Sequence, residues 1–376
     1  MTRWWPIFAL AASAAAPLSS AFGIQHDEDP PECDVMTPAE DIGKELDLKG
    51  TVAVVTGGDS DLGFPVVKTL AERHAKVVIA SRNLTKCQAL ADKAKNETGG
   101  DVIAMALDLG NFSSVRAFAK EYFETVGPKL DWLIHNAGIA GNPQHASVDG
   151  FQLLFQVNFL SPFLLTELLL PALRYGGGFT AGARVVAVSS SEHRIGCEAA
   201  GWSEGCMGNF SYFPPPAVVP DKNVTIHYSD GGTEVRPLEL YGFTKAILIQ
   251  YISELHRREA AFGRFVHGYS LTPGWVNTSL TRRVPLNSTV AQRKCREQLG
   301  YPCPFTPSEG ATISVFAALE APISESGSYV SRIKKCQVDT PTSHGFKPAM
   351  GAELYTRALK LVGLSQPGSD RHEVVV

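Results

Sequence analysis

From about residue 50 the chain alternates short apolar runs with amphipathic stretches. The runs TVAVVT, AKVVIAS, DVIAMAL, LDWLIHNAG, ARVVAVSSS and RFVHGYSLTPG read as strands, and a short SYVSRI adds a seventh. Between or after them, FPVVKTLAER, LTKCQALADKAK, SSVRAFAKEYFETV, GFQLLFQVNFLSPFLLTELLLPALRY, LYGFTKAILIQYISELHRREAAF and SEGATISVFAALE carry helical periodicity. Strands that alternate with helices of this length build βαβ units and a parallel sheet. The pattern therefore predicts an α/β fold, a doubly wound parallel sheet of about seven strands flanked by helices, as a single domain over residues 49–363.

Two segments break the rhythm. Residues 192–238 hold Pro214 to Pro216 with Gly201, Gly205, Gly208, Gly231 and Gly232, and form a long insertion between a strand and the next helix. Residues 279–306 form a second irregular stretch rich in Arg and Lys, a candidate substrate loop. Both follow strand carboxyl ends, where open α/β sheets bind ligands. Lid and substrate-loop roles are expected there, with surface decoration the alternative for the first.

Composition narrows the class of partner. The 34 basic and 38 acidic residues leave a net charge of −4 with no long run of like charge, so nucleic acid is not an expected partner. The first 23 residues, MTRWWPIFALAASAAAPLSSAFG, have an early Arg3, an Ala-rich uncharged middle and small residues at Ser19 and Ala21. That is the layout of a secretory signal peptide, with a mature start near Phe22 or Ile24. An uncleaved anchor is the competing reading, but Pro6, Pro17 and the alanines make a poor span, so no firm membrane span is expected. Residues 24–48 then form an N-terminal extension and 364–376 a C-terminal tail ending DRHEVVV, without a KDEL-type signal.

Seven of the ten asparagines, at 83, 96, 111, 209, 223, 277 and 287, stand in N-x-S/T sequons. The excess supports a glycoprotein of the secretory pathway, either secreted or resident in the endoplasmic reticulum lumen. Seven cysteines add to this: Cys197 with Cys206 and Cys295 with Cys303 are spaced to close small loops as disulfides. Cys33, Cys87 and Cys336 remain, and the odd total leaves at least one thiol unpaired or used between chains. No C-x-x-C pair is present, and no metal site is expected.

The chemistry concentrates in four places. TVAVVTGGDSDLG, residues 51–63, runs from a strand through a glycine-spaced turn into a helix, a context suited to cradling a dinucleotide pyrophosphate. LYGFTKA sets Tyr241 and Lys245 four residues apart, on one face of a helix. VVAVSSSEH ends a strand in three hydroxyls, and FQVNFLSPF places Asn158 within an apolar helix, where an unpaired amide is costly.

With HNAG at 135–138 and TPGWVNT at 272–278, this ordered set resembles the short-chain dehydrogenase/reductase superfamily, and its retinol-dehydrogenase-like branch in particular. The resemblance covers residues 49 to about 333 and implies a Rossmann-type sheet. It implies that Tyr241 is the general acid/base, that Lys245 lowers its pKa and holds the nicotinamide ribose, and that Ser190 holds the substrate oxygen. Asn158 resembles the family's helix-borne Asn that positions a water linking Lys245 to solvent. Gly57, Ser60, Leu62 and Gly63 of the turn, with Asn136, match the cofactor-binding positions. Asp108 would sit against adenine and Thr278 would reach the carboxamide or phosphate.

Where NAD-specific members carry an acidic residue this chain has Ser81 followed by Arg82, suited to gripping a 2′-phosphate, so NADP(H) is the expected cofactor. The resemblance suggests a small-molecule alcohol or carbonyl substrate of lipophilic character. Arg282, Arg283, Lys294 and Arg296 would suit an acidic group or form a solvated face. Oligomeric state is left open, a homo-oligomer included. Asn277 would carry a glycan beside the nicotinamide site, so that sequon is expected to stay unused.

One residue departs from the family pattern. Asp61 stands where a glycine is usual, and a carboxylate about 4 Å from a phosphate costs about 1 kcal/mol in water and about 4 at an effective dielectric of 20. An Asp at a helix N-terminus could instead cap free amides. If the turn fails to bind, the alternative is a catalytically silent glycoprotein that keeps the fold as a binding or scaffold module.

Overall fold

A computed structural model describes Cys33 and residues 36–140, 146–178, 181–194, 237–283, 297, 303–331, 336–339 and 348–365. The strands are β1 (Val52–Thr56), β2 (Lys76–Ser81), β3 (Val102–Ala106), β4 (Trp132–His135), β5 (Ala183–Val188), β6 (Val266–Thr272), β7 (Tyr329–Ser331) and β8 (Gln337–Val338). They form one sheet in the order β3-β2-β1-β4-β5-β6-β7-β8. Every pairing is parallel except β7 with β8. The chain order reverses between β1 and β4, so a crevice opens there at the strand carboxyl ends. The sheet is eight-stranded rather than about seven; β8 escapes a reading by apolar pattern because both of its residues are exposed.

The helices are α1 (Gly63–Glu72), α2 (Leu84–Thr98), α3 (Phe112–Thr125), α4 (Leu153–Tyr175), α5 (Pro237–Ala261), α6 (Pro307–Leu319) and α7 (Pro348–Leu361). Strands β1, β4 and β5 are buried along their whole length, as expected of parallel strands covered on both faces. One face packs against α3, α4, α5 and α7 through residues such as Phe118, Phe159, Tyr251 and Leu354. The other packs against α1, α2 and α6 through Val66, Ala91 and Val315. Helix α4 is long and apolar enough to cross a membrane by composition, yet most of it is buried inside the fold. Within it Gln156–Leu160 form a π turn, a local widening that recurs at functional sites, and Asn158 sits in that turn.

The N-terminal extension joins the second face. Ala39, Ile42 and Leu48 are fully buried, and Arg73 donates to the carbonyls of Glu40, Ile42 and Gly43 at 2.8, 2.6 and 2.6 Å. A Cys33–Cys336 disulfide fastens the extension to the residue before β8, across a separation of 303 residues. Two of the three cysteines that the local spacing left over thus pair with each other, and the third, Cys87, is the free thiol among the described residues, buried on α2. Cys303 is also disulfide-bonded. Its expected partner Cys295, the expected Cys197–Cys206 pair and most of the 192–238 insertion lie outside the described residues, as do the expected signal segment and most of the 364–376 tail. Helix α7, for which the strand and helix pattern gave no element, buries Leu354, Tyr355, Ala358, Leu359 and Val362, an amphipathic spacing. Its Tyr355 hydroxyl donates to Glu167 on α4 at 2.7 Å, and Tyr251 on α5 donates to the same carboxylate at 3.2 Å.

Candidate active site

The glycine turn follows β1 at the mouth of the crevice. Gly57 has φ +61°, a conformation that disfavours a side chain, and a Cβ there would lie 3.0 Å from the Ala137 backbone. A Cβ on Gly63 would lie 2.3 Å from the Gly57 carbonyl oxygen and 2.6 Å from Asn136 Nδ2. Both glycines are therefore demanded by the packing of the turn itself. Position 61 is different, because its φ lies outside the left-handed region and a side chain there costs no backbone strain.

Ser60 takes the capping role at α1, its hydroxyl accepting from the Gly63 amide at 3.0 Å. Asp61 does not cap the helix. Its Oδ2 accepts from the Ser279 amide at 2.6 Å and from Arg282 Nη2 at 3.1 Å, across to the loop after β6. Leu62 packs against Val276 and Phe305 of the same neighbouring region. Asn136, at the end of β4, donates through Nδ2 to Thr56 O and Gly57 O at 3.0 Å each and to Ser60 Oγ at 3.2 Å. Its buried Oδ1 has no protein partner.

Along the adenosine side, Ser81 ends β2, and Arg82 is exposed with no ion pair among the described residues. Lys86, one turn into α2, pairs with Asp59 of the glycine turn at 3.3 Å, a second cation near this edge that no motif marked. After β3, Asp108 accepts from the Gly110 amide at 2.8 Å, which fixes the loop. The Thr278 hydroxyl is engaged with Thr281 at 3.3 Å and the Thr278 carbonyl accepts from the Arg282 amide at 2.9 Å, a tight turn that sets Arg282 in place. Asn277 is exposed, and its side-chain oxygen accepts from Arg282 at 3.2 Å.

The cleft after β5 gathers the remaining residues. Of the three serines, Ser189 is buried and donates to the Lys245 carbonyl at 2.9 Å, and Ser191 is exposed. Ser190 is the one whose hydroxyl is near enough to Tyr241 to lower the phenol's pKa. Lys245, only 3% exposed, donates from Nζ to the Val188 carbonyl at 2.8 Å and lies 5.7 Å from the Tyr241 ring centre. The i, i+4 spacing on α5 thus delivers the ammonium beneath the phenol. Asn158 braces the far wall: its Oδ1 accepts from the Ile139 amide, its Nδ2 donates to the Ile139 carbonyl, both at 2.9 Å, and Nδ2 reaches Thr244 Oγ1 at 3.1 Å. Gly138 closes the space between them, since a Cβ there would stand 3.1 Å from Lys245 Nζ and 3.4 Å from Asn158 Oδ1.

Burial governs the titration of this cleft. It pushes the Tyr241 phenol up to about 12; the Ser190 hydrogen bond opposes the rise, and the nearby Glu192 carboxylate adds to it. It pushes Lys245 down to about 8, with no carboxylate paired to it among the described residues. Desolvation dominates Tyr241, and no lowering by Lys245 offsets it in the geometry described. Glu192 escaped the motif reading, although its place two residues after Ser190 was the available signal. His193 beside it donates from Nδ1 to the Ser190 carbonyl, 2.7 Å away, and packs edge-on against Tyr329.

A family model described as short chain dehydrogenase matches residues 51–200. Human polyprenol dehydrogenase is 30% identical over 315 residues, 83% of this chain and 85% of that protein. Mouse retinol dehydrogenase 11 is 31% identical over 85% of this chain and 88% of its own. Among solved structures, an uncharacterized protein from Mycobacterium Paratuberculosis superposes with a TM-score of 0.60 at 26% identity, over 86% of this chain and 97% of that one. The match spans the crevice, the glycine turn and the cleft alike, and the chain belongs to the short-chain dehydrogenase/reductase family.

Proposed function

We propose that the protein is an NADP(H)-dependent oxidoreductase that interconverts an alcohol and a carbonyl, with Tyr241 as acid/base and Lys245, Ser190 and Asn158 in support. The observation that carries this reading is the cleft after β5, where the Ser190 hydroxyl acts on the Tyr241 phenol while Lys245 lies under its ring. A nicotinamide cofactor, when bound, would supply or accept the hydride. The residues present fit one: a glycine turn closed by its own packing and, with no partner among the described residues, the Asn136 Oδ1 and the Arg82 cation just after β2.

Ser190 and Tyr241 together form a hydroxyl pair that can hold a carbonyl oxygen, and the phenol, with its pKa raised to about 12, keeps its proton at neutral pH. That protonation state suits donation to the oxygen of a carbonyl as negative charge develops on it. Lys245 holds positive charge beside the phenol, and Asn158 fixes the Ile139 backbone that walls the cleft. The relatives are named for lipophilic alcohols, polyprenol and retinol, and we extend that substrate class to this chain. The Cys33–Cys336 disulfide supports an oxidising, secretory compartment.

Calorimetric titration with NADPH and NADH, followed by NADPH consumption against a panel of lipophilic aldehydes and ketones, tests the proposal. NADPH should bind more tightly than NADH, and Arg82→Ala should erase about 10- to 100-fold of that preference by removing charge-assisted bonds. Wild-type protein that bound neither nucleotide would leave the scaffold alternative in its place.

A further inference from the structure

The loop after β6 is tied to the glycine turn twice. Leu62 packs on Val276 and Phe305, and the Asp61 carboxylate bonds the Ser279 amide and the Arg282 guanidinium. The second tie exists only because position 61 is not glycine. Its two charged ends are both partly exposed, Asp61 at 36% and Arg282 at 49%, so the pair sits at the rim of the crevice rather than in its floor. Arg282 is itself held from a second side by Asn277 at 3.2 Å.

We propose that Asp61 and Arg282 form a positioning latch, in which the guanidinium cancels the carboxylate's charge at the edge of the dinucleotide cradle and orders the substrate-side loop against it. The latch rests on the reading of the turn as a dinucleotide site. It explains how a carboxylate can occupy a turn meant for a diphosphate: the charge is turned toward a cation on the neighbouring loop. Glycine at this position would need no partner, and aspartate without Arg282 would repel the ligand. The two residues therefore belong together, and their effects on binding must be coupled.

A double-mutant cycle on the full chain, read by NADPH titration and by amide hydrogen exchange of the free protein, tests the latch. Arg282→Ala alone should weaken NADPH by about tenfold, the scale of one uncompensated charge near a phosphate. Asp61→Gly alone should change it by less than about threefold, and Arg282→Ala should then have little further effect in the Asp61→Gly background. In the free protein the Ser279 amide should exchange at least several-fold faster in Asp61→Gly. Asp61→Asn, which keeps an acceptor without the charge, should preserve most of that protection.

Equal losses from Arg282→Ala in both backgrounds, with Ser279 exchange unchanged by Asp61→Gly, would overturn the latch while leaving the cofactor reading intact. Should wild-type protein bind no nucleotide, the cofactor reading and the charge-cancelling role fall together. Protection of Ser279 that depended on Asp61 would then mark the tie as purely structural.

Discussion

At the turn after β1 a carboxylate is partly exposed and meets a guanidinium at 3.1 Å; in the cleft after β5 an ammonium is almost fully buried and meets a peptide carbonyl at 2.8 Å. The two regions share the carboxyl edge of the sheet, yet they constrain sequence by different means. In the turn the constraint is on backbone: Gly57 is fixed by its φ and Gly63 by a neighbour that a Cβ would meet at 2.3 Å, while position 61 accepts any residue whose charge can be answered across the crevice. In the cleft the constraint is on side chains, since Ser189 bonds the Lys245 carbonyl, Lys245 the Val188 carbonyl, and Asn158 the Ile139 backbone and Thr244. A departure from family pattern is therefore tolerable at Asp61 and would not be at Tyr241.

The sharpest way to break this contrast is Tyr241→Phe. The ring over Lys245 is kept and the hydroxyl beside Ser190 is lost, so turnover should fall about 10²- to 10⁴-fold, the usual weight of a general acid. NADPH affinity should stay within a few-fold. Steady-state kinetics with calorimetry check both, and retention of a tenth or more of the activity would move the chemistry away from this cleft.

The backbone constraint predicts a smaller effect of a different kind. Gly63→Ala puts a methyl where the Gly57 carbonyl and Asn136 already stand, so the turn must open at a cost of about 1–3 kcal/mol in stability. Asp61→Ala, in the same turn, should remain within about 0.5 kcal/mol because the ion pair and the Ser279 amide bond it loses both lie at an exposed rim. Denaturant unfolding of the two variants side by side distinguishes them. Similar losses would mean that position 61 is as tightly held as position 63.

Much of this architecture was legible in the chain. The apolar runs at 52–56, 132–135 and 183–188 are buried from end to end, which is why their strands stood out by composition alone. The cleft was legible because Tyr241 and Lys245 are four apart on one helix and Ser190 closes a strand, so local spacing already carries the geometry. What escaped were contacts between distant segments. The Asp61–Arg282 pair spans 221 residues and the Cys33–Cys336 bridge 303, and neither follows from periodicity or from short-loop spacing. Asp61 therefore read as either a repulsive charge or a helix cap, where the fold gives its carboxylate a third use. Strand β8 and the π turn around Asn158 were hidden for local reasons, the first too short and exposed, the second a change of hydrogen-bond register inside an unbroken apolar helix.

The last difference between the regions is what each charge costs the fold. Asp61 is partly solvated and paired, whereas Lys245 is buried beside no carboxylate among the described residues, and burial lowers its pKa from 10.5 to about 8. Below pH 8 both the folded and the unfolded chain hold this proton, and the folded state carries the full desolvation penalty, on the order of 3 kcal/mol for a depression of this size. Between about 8 and 10.5 the folded state gives up the proton while the unfolded state keeps it, so the penalty shrinks as pH rises and vanishes above that window. Replacing the ammonium by an apolar side chain of similar length should remove the penalty, but it leaves the Val188 carbonyl without its donor, which returns about 1–3 kcal/mol. Lys245→Met should thus be more stable than wild type at pH 7 by about 1 kcal/mol while losing activity, and its advantage should fade as pH is raised toward 10.5. Unfolding measured across pH 6–10 checks this; a Met variant less stable than wild type throughout, with no convergence at high pH, would show that the fold meets the Lys245 charge as fully as it meets that of Asp61.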